Sequence, residues 1–104
     1  MEEKRIDIYV GFGTIGNTNL EKKEHFKNRL FNYCRDTKID FSYVEQKGGY
    51  VLENGNYVSE DSCRITLLGK YNKNDIKEFA DIVKEDYNQE SLLVCVKNAE
   101  KEFI

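Results

Sequence analysis

The chain has 104 residues, of which 39% are hydrophobic and 34% charged, a globular composition for one domain spanning 1–104 and leaving no room for a second. Nineteen acids against 16 Lys and Arg give a net charge of −3, which argues against a long nucleic acid, a partner that is held by clustered cations. No apolar run approaches the roughly 20 residues of a membrane span, and the start at Met1-Glu2-Glu3 leads straight into a strand, so the expected setting is cytoplasmic with no membrane partner.

Ile6, Ile8, Val10 and Phe12 alternate with Asp7, Tyr9 and Gly11, the two-residue period of a strand with one buried face. Thr18-Asn19-Leu20-Glu21 has the form of a capping box and starts a helix, with Thr18 as the expected cap. Leu20, Phe26, Leu30, Tyr33 and Cys34 then share one face, and the helix ends near Asp36-Thr37. Ile39, Phe41 and Tyr43 mark a second strand, which Gly48-Gly49 is expected to break with a change of chain direction.

Tyr50-Val51-Leu52 and Tyr57-Val58 flank Glu53-Asn54-Gly55-Asn56, where Asn-Gly predicts a type I′ hairpin turn in an extended ribbon. Cys63, Ile65, Leu67 and Leu68 form a third strand, central because it is so apolar, and Gly69 closes it. Ile76, Phe79, Ala80, Val83 and Tyr87 make the cleanest helical stripe, with Asn72 or Asn74 as its cap. Leu92 to Val96 gives a fourth strand.

The order βαββαβ predicts an α+β fold, a ferredoxin-like two-layer sandwich with a long β2–β3 ribbon and both helices on one face of an antiparallel sheet. The opposite face should carry Tyr9, Val44, Arg64, Thr66 and Leu68, and an uncovered face of this kind predicts a homo-oligomer.

Gly11-Phe12-Gly13-Thr14-Ile15-Gly16 is a G-x-G-x-x-G string between a strand and a helix. Two readings stand: a plain connection, and a loop whose backbone approaches a phosphate, although the chain is too short for a dinucleotide-binding sheet. The start of the first helix adds amides at Asn19, Leu20 and Glu21 with Lys22 and Lys23 beside them, which suits an anion. Tyr43, Tyr50 and Tyr57 with Lys47 and Arg64 pair aromatic faces with positive charge, suiting a stacked base or simple cross-strand packing. The candidate ligand-binding set is therefore Gly11, Gly13, Thr14, Gly16, Asn19, Lys22, Tyr50, Tyr57 and Arg64.

Glu60-Asp61 is an acidic pair suited to acid-base work or to plain solvation in a turn. His25 has no nucleophile spaced to it, and Cys34, Cys63 and Cys95 show neither a disulfide framework nor a zinc spacing, so no metal, no cofactor and no catalytic residue is expected.

Gly48-Gly49-Tyr50, Glu53-Asn54-Gly55 and Val58-x-Glu60-x-Ser62, with Tyr9-Val10-Gly11 upstream, resemble an uncharacterised bacterial α+β family, which implies no activity. The small, proline-free, Lys- and Asn-rich chain also resembles phage and mobile-element proteins, among them oligomers that sequester nucleotide immune signals and inhibitors of host effectors. Together these imply a non-catalytic oligomeric binder of a small anionic, nucleotide-like ligand. The alternative is a protein-binding inhibitor using the open sheet face, and a small enzyme stands third.

Overall fold

The computed structural model describes residues 2–14, 19–86, 92–100 and 102. Its elements are β1 (Lys4–Thr14), α1 (Leu20–Thr37), β2 (Phe41–Val51), β3 (Tyr57–Gly69), α2 (Lys73–Asp86) and β4 (Leu93–Asn98). The strands form one antiparallel sheet in the order β2-β3-β1-β4, which is the ferredoxin-like sandwich and puts β3 in the interior of the sheet.

Alternation in β1 and β3 sends Ile6, Ile8, Val10 and Phe12, and Cys63, Ile65 and Leu67, toward the helices. They join Phe26, Leu30 and Cys34 of α1 and Phe79 and Val83 of α2 in a single core whose members are all 5% exposed or less. Phe12 meets Phe26 edge to face at 5.8 Å, which ties the end of β1 to α1. Tyr43 lies on this covered side against Phe31 (5.6 Å between ring centres), and burial first, then Cys63 and Glu45, push its phenol far up.

The caps follow from local chemistry. Asn19, not Thr18, caps α1: its side chain accepts from the Lys22 amide at 3.0 Å, while Thr18 lies outside the described residues. Leu20 is 72% exposed, so the buried stripe of α1 begins at Phe26. At the far end Lys38 takes the left-handed conformation (φ 57°) and its amide donates to the Arg35 carbonyl, closing the helix without glycine. Asn72 and Asp75 form a reciprocal box at the start of α2, each side chain accepting from the other's amide. Tyr87 lies outside the described residues.

Two features of the β2–β3 arm differ from expectation. Strand β2 runs unbroken through Gly48-Gly49, in continuous register from Phe41–Leu67 to Val51–Tyr57. Tyr57 supplies the reason at Gly49, because its ring covers that backbone so closely that a β-carbon there would overlap the hydroxyl. The hairpin is also not type I′: only Gly55 has a positive φ (87°), and the Gly55 amide donates to Leu52 while the Leu52 amide donates to Asn56. That is a three-residue loop with a glycine bulge, and the Asn54 side chain accepts from the Asn56 amide to hold it.

Candidate functional site

The glycine string is mostly strand. Gly11 pairs with Ser62 and Gly13 with Asp61, leaving Phe12 as the extra residue of a β-bulge with Gly13 at φ 103°. Thr14 pairs with Glu60, so β1 continues past the point where a phosphate loop would have left it. The Thr14 side chain and Gly16 lie outside the described residues. The connection read between the first strand and the first helix therefore begins later than expected, after Thr14, and the physical reason is that the bulge absorbs the extra residue without ending the ladder.

Strand alternation in β3 places two consecutive acids, Glu60 and Asp61, on opposite faces. Glu60 belongs to the uncovered face, within β3 rather than in a turn. Its register partners are Gly48 on β2 and Thr14 on β1, and its carboxyl reaches diagonally over Gly11: a β-carbon there would stand 2.8 Å from Oε1. A β-carbon on Gly48 would meet nothing within 4 Å. Glu60 therefore stands half-buried in a notch that has a bare glycine on either side. Ser62, two residues on and on the same face, donates to the Gln46 carbonyl at 3.5 Å.

Asp61 faces the helices. Its side chain is 16% exposed, and Lys47 Nζ lies 3.9 Å from it. Nearby, Lys23 pairs with Glu45 at 3.4 Å and sits over the Phe12 ring, while Lys22, beside the Asn19 cap, is exposed. In the first turn of α1 Lys22 is thus exposed, and Lys23 is engaged with the sheet.

The remaining candidates do not assemble. Tyr57 is 69% exposed on the covered side of the ribbon, against Gly49. Tyr50 pairs with Val58 through the backbone, and its side chain lies outside the described residues. Arg64 is six residues further along β3 than Val58, opposite Tyr9 and Val44, at a strand distance of about 20 Å from the ribbon. It belongs instead to a polar patch in the middle of the open face. There Asp7, only 8% exposed, accepts from Thr66 Oγ1 at 2.6 Å and from Arg5 Nε at 3.1 Å. Burial works against the Asp7 carboxylate, but those two bonds and the charges of Arg5 and Arg64 outweigh it and hold the carboxyl below its ordinary range. Arg64 Nε is buried with no hydrogen-bond partner among the described residues.

Sequence reasoning missed the notch because it placed Glu60 in a turn. The available signal was the set of glycines on neighbouring strands, which bares the backbone on both sides of one acid. Among the described residues there is no cluster of His, Cys, Asp and Glu fit for a metal ion, and no helix long and apolar enough to cross a membrane.

No family model matches the chain, and no curated protein matches it. Solved structures do. A phage SAM lyase in complex with S-methyl-5′-thioadenosine has a TM-score of 0.65 at 23% identity, covering 93% of this chain and 81% of its own. The phage SAM lyase in its apo state has a TM-score of 0.54 at 25% identity, with 91% and 79% covered. GlnK of B. subtilis in complex with ATP has a TM-score of 0.62 at 10% identity, with 94% and 82% covered. These likenesses extend over nearly the whole chain and establish the shared fold.

Proposed function

We propose that this protein is a homo-oligomeric binder of a 5′-substituted adenosine, held at the Glu60 notch. The observation that carries the reading is the half-buried Glu60 carboxyl between Gly11 and Gly48. Open space at Gly48 lets a flat ligand approach the backbone on that side, Gly11 seats the carboxyl on the other, and a carboxylate there suits ribose hydroxyls or a positive charge. The ligands named for two similar structures, S-methyl-5′-thioadenosine and ATP, have adenosine in common. The notch favours the neutral and cationic members of that class over phosphates, because an anion would meet Glu60 directly. Any phosphate would have to sit on the other side of the sheet end, near Lys22 and the start of α1.

Self-association follows from the open face. Val44, Leu68 and Leu93 are exposed on it around the buried Asp7 and the half-buried Arg64, whose Nε has no hydrogen-bond partner among the described residues. A second copy seated there would exclude water from the apolar rim and supply a wall to a notch that is open in one chain. Sedimentation at micromolar concentration should show a species heavier than 12.2 kDa. A monomer at all concentrations would contradict this.

One observation favours a second reading, turnover of the ligand: the phage SAM lyase is similar over 91% of the chain, and Glu60 is the acid on the open face that would act there. Calorimetry with S-methyl-5′-thioadenosine, S-adenosylmethionine, ATP and cyclic nucleotides, followed by chromatography of the mixtures, separates the cases. Binding with the ligand recovered intact supports a sequestering protein of the counter-defence type. Release of S-methyl-5′-thioadenosine from S-adenosylmethionine supports the lyase. No binding to any adenosine compound overturns both and promotes an inhibitor that docks on a protein through the same face.

A further inference from the structure

Three glycines surround Glu60, and they are glycine for different reasons. Gly13 has a positive φ (103°), which the bulge imposes and which side chains rarely adopt. Gly48 has an ordinary backbone and open space where a side chain would be. Gly11 also has an ordinary backbone, yet a β-carbon on it would lie 2.8 Å from Glu60 Oε1, 3.2 Å from Cδ and 3.4 Å from Oε2. All three atoms of the carboxyl group are within reach, so the group rests across the bare α-carbon and does not merely touch it with one oxygen. No other atom comes closer than 3.4 Å, and these three belong to the end of one flexible side chain.

We infer that Gly11 is a positioning residue, the seat on which the Glu60 carboxyl rests, and that its missing side chain fixes where a ligand meets that carboxyl. The inference rests on the reading of Glu60 as the ligand-contacting group. A methyl at Gly11 has no backbone strain to impose, since φ is not positive, and no backbone or core atom would lie closer to it than 3.4 Å, an ordinary contact distance. Its single consequence is to lift the Glu60 carboxyl off β1 by rotation about its side-chain bonds, which changes the direction in which the oxygens accept. The fold does not require glycine here, and the acid does.

The test is a cycle of four proteins: wild type, Gly11→Ala, Glu60→Asp and the double variant, each titrated calorimetrically with S-methyl-5′-thioadenosine and unfolded in urea. Gly11→Ala should weaken binding by about tenfold or more, as expected when a hydrogen bond to a charged group is lost, while the unfolding midpoint stays in place. Glu60→Asp shortens the acid so that it no longer reaches β1; it should weaken binding by itself, and adding Gly11→Ala to it should change affinity by less than about twofold. A crystal structure of Gly11→Ala without ligand should show β1 unmoved and the Glu60 carboxyl displaced. Wild-type affinity in Gly11→Ala, or the same loss in the Glu60→Asp background, would overturn the inference while leaving the site in place. Failure of the wild-type protein to bind any adenosine compound would remove the site itself.

Discussion

The two faces of the sheet are built from the same strands and differ in everything else. Toward the helices β1 presents Ile6, Ile8, Val10 and Phe12; toward the open side it presents Arg5, Asp7, Tyr9 and Gly11. Strand β3 does the same with Cys63, Ile65 and Leu67 against Glu60, Ser62, Arg64 and Thr66. The covered face is apolar and fills a core that any sequence of this pattern would fill. The open face holds a buried carboxylate, an arginine nitrogen without a hydrogen-bond partner among the described residues and an acid seated among glycines, none of which a core requires. Stability and function are therefore separable by face, and substitutions on each side should have different signatures.

The largest effect belongs to the covered face. Phe79→Ala or Phe26→Ala should cost about 3–5 kcal/mol in urea unfolding, because each ring is almost fully buried in the core. A loss near 1 kcal/mol would mean that the helices do not seal this side.

The centre of the open face comes next, and it tests the division most sharply because Asp7 is buried on the wrong side for a core residue. Asp7→Ala should cost about 1.5–3 kcal/mol through its bonds to Thr66 and Arg5. The sign of the pH effect is fixed by the lowered carboxyl. Its contribution is complete above the ordinary Asp value of 3.8 and declines as pH falls through the lower folded-state value. The stability gap between wild type and Asp7→Asn, measured from neutral to acid pH, should therefore narrow below that value. A gap that widens in acid would contradict the account.

Thiol reactivity separates the faces without a substitution. Burial pushes Cys34 up to about 11 and Cys63 up to about 12, whereas Cys95 stands opposite Asp7, half-buried on the open side. In native protein at pH 8, Cys95 alone should react with a disulfide reagent, and more slowly as concentration drives a second copy onto that face. Equal reaction of all three thiols would show that the core is open. The smallest expected effect lies outside both faces: Gly55→Ala in the hairpin loop should cost about 1 kcal/mol through its positive φ and leave ligand binding intact.

These differences also explain what the sequence revealed. Alternation in β1 and β3 and the stripe of Phe79 and Val83 are signals of burial, and burial is what periodicity reports. They located the sandwich and the row Tyr9–Arg64–Val44 on the open side. The site depended on register and on exceptions to local rules. Gly48-Gly49 reads as a break but is spanned by a strand because Tyr57 covers the second glycine. Gly13 reads as part of a connection but lies in a bulge, and Glu60-Asp61 reads as a turn but lies in β3, where alternation parts the two acids to opposite faces. Arg64 and the ribbon tyrosines share a composition pattern but are separated along β3, since cross-strand distance is invisible before the register is known. Asn19 took the cap from Thr18 because the helix begins one residue later than the capping box suggests.

Titration of S-methyl-5′-thioadenosine into wild type and Glu60→Gln is the most direct test. Glu60→Gln keeps the shape of the side chain and removes its charge, so urea unfolding should agree with wild type within about 0.5 kcal/mol. The wild-type protein should bind, and the variant should bind about tenfold more weakly or not measurably. Equal affinity in the two proteins would contradict the assignment of the site to the Glu60 notch.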